Sequence, residues 1–598
     1  MLAIAAIAGL AYAWGMNGAA LETFYGAAAR SMSTSWHDFF FGAFDPQGTM
    51  SVDKLPGGLW PQALVLRLLG FHVWAVVLPQ VVEGVITVLV LFRVMCRLAG
   101  PVAGLTAAAV LAATPVTVGL NRGNVSASLL ILLPVLAADA TVAALIDGRL
   151  RPLLLAGVWT GLAFQTKMMQ AWLILPALAI AYLVAAPPRV RVRVSHVALA
   201  GLVTLAVSVS WMSVVSLVPA DERPYADGTQ NDSLFSQVFE YNGFARLGRG
   251  TSLAGAGHRA EFLSQSSAGG ADDLDEHIPP SWHRLLEGLY GRDIGWLLPA
   301  ALLSGVAVLL GRRDAGRRDL LRASVLLWGA WLLVLWALFS DGVYLHSYYV
   351  AALAPAIAGL CGTGAAMVWS RWPHRSARQS LAVAVVISIA YGAYLLRGGV
   401  GVPAWLIPAA VCLGAACSVA LLAVGAGARG RGAAAVAMVA ATGCGLLLPA
   451  VASLSMVTRH LGPFAAPFEP ASATQSSTQS GHVRAASARL VGEIAAAYRT
   501  PIVFATDTSR LASLFILASG REILPIGGFE GGIPAPTLTD LRREVSSGRL
   551  RAFLLPSSSS DPRLVWVYDH CERTGLETGG QFRLLLYACG SKQPSGGA

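Results

Sequence analysis

The chain has 598 residues, 55% of them hydrophobic and only 13% charged, with a mean hydropathy of +0.60. Soluble domains carry about 25% charged residues, so a soluble globular class is excluded and a polytopic α-helical membrane protein is indicated. The net charge of +10 does not point to nucleic acid, because the basic residues lie in short loops between apolar runs and no basic–aromatic patch occurs.

Apolar runs near 20 residues can cross the hydrocarbon core as helices. About thirteen such segments are predicted, at roughly 2–16, 72–95, 102–120, 125–146, 152–167, 169–187, 197–218, 293–311, 323–340, 349–369, 381–396, 404–426 and 433–457. The first, Met1–Met16, lacks a basic leader region and reads as a membrane helix. The excess of Ala and Gly suits close helix packing in lipid. With a cytoplasmic N-terminus, the loops after even-numbered segments contain "RVMCRL", "DGRLR", "RVRVRV", "RRDAGRRDLLR", "RWPHRSAR" and "ARGRG". All are basic, whereas the short opposite loops offer only Arg122, Lys167 and Arg397. By the positive-inside rule the C-terminus lies outside a multi-pass plasma-membrane domain.

Two long loops then fall on the outer face, 17–71 and about 219–292. In the first, "LETFYGAAARSM" and "GGLWPQALVLRLLG" space apolar residues at helical period and read as helices lying in the membrane interface. Plain loop is the alternative. The expected domains are 1–458 in the membrane, a linker at 459–481 and an extracytoplasmic domain at 482–598. In that last part, helical and strand patterns alternate, from "VRAASARLVGEIAAAY" to "FRLLLYACG". Such alternation predicts a small α/β domain with a largely parallel sheet. "PRLVWVYDHCERTG" reads as its last helix. Outside the cell a Cys571–Cys589 disulfide is permitted, with two buried thiols as the alternative. The other five cysteines lie in or beside apolar runs, and none has zinc-site spacing.

No P-loop, Rossmann fingerprint, G-x-S-x-G or H-E-x-x-H is present. The polar residues that remain gather on the outer side. The first loop holds Glu22, His37, Asp38, Asp45, Asp53 and Lys54. A carboxylate there suits general-base work on an acceptor hydroxyl, and a lysine suits a phosphate. Helix ends add Asn121, Arg122, Asn124, Lys167, His346, Tyr348 and Tyr349, and the second loop adds Arg223, Asp227, Asn231, Asp232, Tyr241, Asn242 and Arg246. Any one of these alone is more often a solvated loop charge. Their shared side is what a membrane-embedded catalytic cavity requires.

The run "FYGAAARSMSTSWHDFFFGAFDPQGTMSVDKLPGGLWPQAL" resembles actinobacterial members of glycosyltransferase family thirty-nine, relatives of protein O-mannosyltransferases and of the lipid A aminoarabinose transferase. "NRGN", "GLAFQTKMMQAWLILPALA", "RPYADGTQNDS", "YNGFARLGRG" and "HSYYVAALAPAIAGL" extend the likeness, and the tail resembles the soluble C-terminal domain of the same proteins. The resemblance implies a GT-C fold and transfer of a mannose-like hexose or a pentose from a polyprenyl-phosphate carrier. The acceptor would be a lipid, glycan or protein of the cell envelope. It further implies Asp53, Asp45 or Glu22 as the catalytic carboxylate, and Lys54, Arg122 and Lys167 for the donor phosphate. Tyr25, His37, Asn121, Asn124, Tyr241, Asn242, His346 and Tyr349 would contact substrate. No cofactor is specified, and a divalent metal is compatible with the chemistry. Lys54 stands where the family has Lys-Pro-Pro, here "KLPG". The family's Asp-Glu pair is Leu21-Glu22 here, and Ala127 stands where actinobacterial relatives have Asp. Two other readings stay open. One is a catalytically degenerate paralogue acting as a binding or assembly protein. The other is a transporter or flippase, disfavoured because no internal repeat is evident.

Overall fold

The structure, a computed structural model, describes the whole chain except residues 245–277, 343–344, 373, 424–429, 470–477, 578–583 and 591–598. Arg246 therefore lies outside the described residues. The chain divides into two compact units. One comprises Met1–Met16, Gln80–Val209 and Leu274–Thr474, the other Asn17–Pro79, Ser210–Asp273 and Gln475–Ala598.

The first unit is helical. Its helices are α1 (Leu2–Ala13), most of α5 (Val73–Ala99), α6 (Pro101–Ala113), α7 (Pro115–Asn121), α8 (Ala127–Asp147), α9 (Leu150–Lys167), α10 (Leu175–Ala185) and most of α11 (Val190–Ser216). α12 (Gly288–Ile294), α13 (Leu298–Gly311), α14 (Leu320–Asp341), α15 (Ala354–Ser370), α16 (Arg375–Leu395), α17 (Leu406–Ala423) and α18 (Arg431–Thr458) complete it. Among the described residues, ten helical runs are long and apolar enough to span a membrane, or eleven with the pair α6–α7, bent by 65° at Pro115. One of the ten, Leu150–Ala185, has 36 residues. As a straight helix it would be about 54 Å long, yet its ends meet: a Cβ on Gly148 would lie 3.2 Å from Pro188. The chain reverses at Lys167–Met168, where Met168 takes φ +49°. This run is therefore two limbs, as the segments 152–167 and 169–187 anticipate. The helix α1 is short, 12 residues or about 18 Å.

Loop contacts sort the ends of this unit. At one end Arg93 and Arg97 pair with Asp139 at 2.7 and 2.9 Å, Arg317 donates to Ala186 O at 2.7 Å, and Arg371 donates to Gly311 O. At the other, Arg122 reaches Ala11 O, Ser347 donates to Pro463 O, and Arg292 pairs with Glu469 at 3.2 Å. Close approach rests on glycine: a Cβ on Gly362 would sit 2.5 Å from Ala103 O.

The second unit joins the expected C-terminal domain to residues 17–79. The helices of its first loop are α2 (Thr23–Met32), α3 (Trp36–Phe41) and α4 (Trp60–Leu69). α3 was not anticipated; Ser35 caps it by accepting from Asp38 N, and Gly42 ends it in the left-handed region. α2 departs from the interfacial expectation: nine of its ten residues are buried, and it packs on α20 (Ser509–Ser519), α3 and α4. Exposed apolar side chains lie on α3 and α4 instead, at Trp36, Phe40, Leu64 and Leu68.

The C-terminal part holds α19 (Gly481–Tyr498), α20, α21 (Leu538–Ser546) and α22 (Pro562–His570). Its strands are β3 (Phe504–Thr506), β4 (Ile523–Pro525), β5 (Ala552–Leu555), β6 (Glu572–Glu577) and β7 (Leu585–Ala588), in the order β4-β3-β5-β7-β6. The sheet is mixed rather than largely parallel, since β3 runs parallel to β4 and β5 while β7 is antiparallel to β5 and β6. β6 falls where a helix was expected to continue. "ERTG" offers no apolar helical stripe, and its Thr and Gly are weak helix formers. Ala505, Leu524, Phe553, Leu541, Leu564 and Val567 form the core. Cys571 and Cys589 are joined by a disulfide. A two-residue ladder, β1 (Leu21–Glu22) with β2 (Thr478–Gln479), ties the end of the expected linker to the first loop.

Candidate active site

The stretch 45–58 is built before it is used. Asp45 is fully buried, and its two oxygens accept from Thr49 N and Met50 N at 3.0 Å each. Ser51 N donates to Tyr225 O at 2.9 Å and Tyr225 N to Thr49 O at 3.1 Å. The second long loop thus pins the first, and the chain is delivered to Asp53 and Lys54 in a fixed direction.

Lys54 is buried. Its ammonium donates to the hydroxyl of Tyr25, lies 4.5 Å from that ring's centroid and pairs with Asp53 Oδ1 at 3.3 Å. Tyr25 is held by the start of α2, where Glu22 accepts from Phe24 N at 3.1 Å and from Tyr25 N at 2.6 Å. Burial pushes the Glu22 carboxyl up to about 7; the two amides and the Lys54 charge oppose this, and the Asp53 charge adds to it. Asn242 Nδ2 donates to Asp53 O at 2.6 Å. Glu22, Tyr25, Asp53, Lys54 and Asn242 therefore form one cluster: a buried cation, a phenol, two acids and an amide.

The other expected residues of this unit lie apart in role. Asp45 is committed to its own loop through both carboxylate oxygens, which leaves it unsuited to proton abstraction. His37, half-exposed, sits between Asp38 Oδ1 at 3.3 Å and Glu222 O at 3.1 Å. Tyr241 donates to Glu530 at 3.2 Å. Arg223 pairs with Asp232 at 2.9 Å.

In the first unit a second buried lysine stands among aromatic rings. Lys167 Nζ lies 4.3 Å from the Tyr348 centroid and 3.8 Å from that of Tyr349, and His346 stacks on Tyr348 at 5.6 Å. Of the 43 Lys and Arg residues in the chain only three are lysines, Lys54, Lys167 and Lys592. Two of the three lie over tyrosine rings, within cation–π distance. Arg122, expected among the phosphate ligands, is engaged otherwise: it donates to Ala11 O at 2.5 Å and to Leu461 O and Val457 O at 3.4 Å. Asn121 donates to Thr117 O at 2.8 Å inside its own helix, and Asn124 is fully buried. Among the described residues no group of three or more His, Cys, Asp or Glu is placed to hold a metal ion.

Two groups escaped the sequence reading. Gln237 Nε2 donates to Val52 O and to Asp227 O, both at 2.9 Å, behind the Asp53–Lys54 pair. Glu522, beside Asp45, accepts from Gln47 N at 2.8 Å. Neither lies in a motif, and only contact across long stretches of sequence reveals them.

Residues 53–213 match the family described as "Dolichyl-phosphate-mannose-protein mannosyltransferase". Residues 495–570 match "Putative mannosyltransferase YkcB-like, C-terminal". Two Bacillus subtilis (strain 168) proteins are similar over nearly their whole length. "Putative mannosyltransferase YkcB" is 28% identical, covering 94% of this chain and 89% of that one. "Putative mannosyltransferase YycA" is 27% identical, covering 90% and 88%. The crystal structure of ArnT from Cupriavidus metallidurans bound to undecaprenyl phosphate superposes with a TM-score of 0.57 at 16% identity, covering 98% of this chain and 97% of that one. Its apo state gives 0.54 at 15% identity.

Proposed function

We propose, from its likeness to the dolichyl-phosphate-mannose-protein mannosyltransferase family and to the YkcB-like mannosyltransferases, that the chain is a GT-C membrane glycosyltransferase of family thirty-nine that moves a sugar from a polyprenyl-phosphate donor to a cell-envelope acceptor on the outer membrane face. The observation that carries this reading is the buried Lys54 ammonium between Tyr25 and Asp53. A buried cation beside a phenol and a carboxylate is placed to take a phosphate as a further partner. The ArnT crystal structure holds undecaprenyl phosphate, and the carrier lipid proposed here is of that class.

In the reaction, the acceptor oxygen attacks the anomeric carbon and the bond from that carbon to the phosphate oxygen breaks. The hydroxyl proton passes to a carboxylate, assigned to Asp53, and polyprenyl phosphate leaves against the Lys54 charge. Asp53 is preferred because Glu22 caps α2 with both oxygens and Asp45 is committed to its loop. Lys167, among Tyr348, Tyr349 and His346, is assigned to substrate anion or sugar binding. The basic loops support a cytoplasmic N-terminus and an extracytoplasmic C-terminal domain.

One observation favours the second reading, a degenerate paralogue that binds without transfer. Leu21, at the position of the family's Asp, is fully buried in the β1–β2 ladder, and Ala127 is also buried. Transfer of labelled sugar from polyprenyl-phosphate donors in membranes separates the two: donor binding without product supports the paralogue.

A further inference from the structure

The C-terminal α/β part has no role in the reaction drawn above. In open α/β sheets, ligands settle outside the carboxyl ends of the parallel strands. Here that place, past β3 and β4, is filled from the chain itself. The fully buried Asp227 of the second long loop accepts from Phe529 N at 3.1 Å through both oxygens, from its own Gly228 N at 2.7 Å, and from Ser509 Oγ at 3.4 Å. Gly528, at φ +75°, makes room: a Cβ there would overlap Asp227 Oδ1.

The backbone of Asp227 leads onward. Its N–H donates to Ser51 Oγ at 3.3 Å, and its carbonyl accepts from Gln237. The same Gln237 amide holds Val52 O, and Gln237 O accepts from Asn242 Nδ2, which also holds Asp53 O. A parallel contact starts from the neighbouring residue. The Phe529 ring meets Phe24 edge-on at 4.8 Å, one residue before Tyr25, the partner of Lys54. The turn 527–532 therefore touches both arms that define the Asp53–Lys54–Tyr25 cluster.

We propose that Asp227 is a positioning residue for the transfer site, through which the C-terminal domain holds the Asp53–Lys54 pair in place. This rests on the transferase reading only for its effect on turnover. The arrangement itself is read without turnover, by the accessibility of the Lys54 amine.

The test uses the full chain in lipid nanodiscs, as wild type, Asp227→Ala, Asp227→Asn and Gly528→Ala. An amine-reactive ester is applied and the labelling of Lys54 is measured by mass spectrometry, with Lys167 and Lys592 as internal references. Transfer from a polyprenyl-phosphate sugar is measured in parallel. Asp227→Ala and Gly528→Ala are expected to raise Lys54 labelling about fivefold with Lys167 unchanged, and to lower kcat about tenfold or more. Asp227→Asn keeps an oxygen for the Phe529 and Gly228 amides and a donor for Ser509, so it should stay within about twofold of wild type on both counts. Unchanged Lys54 labelling in both Asp227→Ala and Gly528→Ala overturns the proposal. So does a rise shared equally by Lys167, or an Asp227→Asn as impaired as Asp227→Ala. If wild type transfers no sugar from any donor but labelling responds as stated, the transferase reading fails while the positioning role stands.

Discussion

Lys54 donates to the Tyr25 hydroxyl and lies over the same ring at 4.5 Å. The contact joins the polar stretch 45–58 to the first turn of α2, whose orientation Glu22 sets by capping. The Lys54 ammonium has three donors, so an arriving phosphate can bind it while the Tyr25 hydroxyl stays in place.

Tyr25→Phe removes the hydroxyl and leaves the ring. A hydrogen bond to a charged group contributes about 1.5–3 kcal/mol, so kcat/KM should fall roughly 10- to 100-fold. Lys54→Arg should lose more, because the buried site fits a point charge and not a fork. Steady-state transfer kinetics check both.

Glu22→Ala should destabilise the second unit by about 1–2 kcal/mol through loss of the α2 cap, read as a lower Tm in detergent. Glu22→Gln keeps one acceptor oxygen and should cost less. If Glu22 and not Asp53 takes the acceptor proton, Glu22→Gln would abolish the pH-rate limb near 7 and Asp53→Asn would not.

Burial raises the carboxyls of several acids of the second unit. Glu22 and Asp227 are both pushed up to about 7, and Asp45 and Glu522 are also raised, Glu522 further by the neighbouring Asp45 charge. An acid whose folded value is raised binds its proton in the folded state at pH values where the unfolded chain has released it. Stability is therefore highest at low pH, falls as pH rises from about 4 to 7, and levels off above. The Tm should be higher at pH 5 than at pH 8, and Glu522→Gln should flatten this slope. A Tm that rises with pH over this window contradicts the assignment.

Arg122→Ala should lower the yield and Tm of the solubilised chain and leave donor KM nearly unchanged, since its guanidinium clasps three backbone carbonyls. A rise in donor KM with unchanged Tm would return it to the phosphate ligands.

Much of this was legible in the sequence because it is local. Membrane segments announce themselves by length and hydropathy, down to the paired limbs either side of Lys167. Lys54 stood out as a cation in a polar stretch beside aromatic residues, and its partner Asp53 is adjacent in the chain. What escaped is non-local. That Asp45 is committed to the amides of Thr49 and Met50, and Arg122 to Ala11, Val457 and Leu461, depends on backbone geometry that no composition reveals. The tie from Asp227 to Phe529 spans about three hundred residues, and the β1–β2 ladder pairs two residues with two others far along the chain. α2 looked interfacial because its apolar spacing cannot say whether lipid or α20 covers it.

The central claim is that the Lys54–Asp53 pair performs transfer from a lipid-phosphate sugar. The most direct measurement is incorporation of labelled sugar from polyprenyl-phosphate donors by membranes holding wild type, Lys54→Ala or Asp53→Asn at equal abundance. The account predicts product from wild type and at least about a hundredfold loss in each variant. Activity untouched by both substitutions would contradict it.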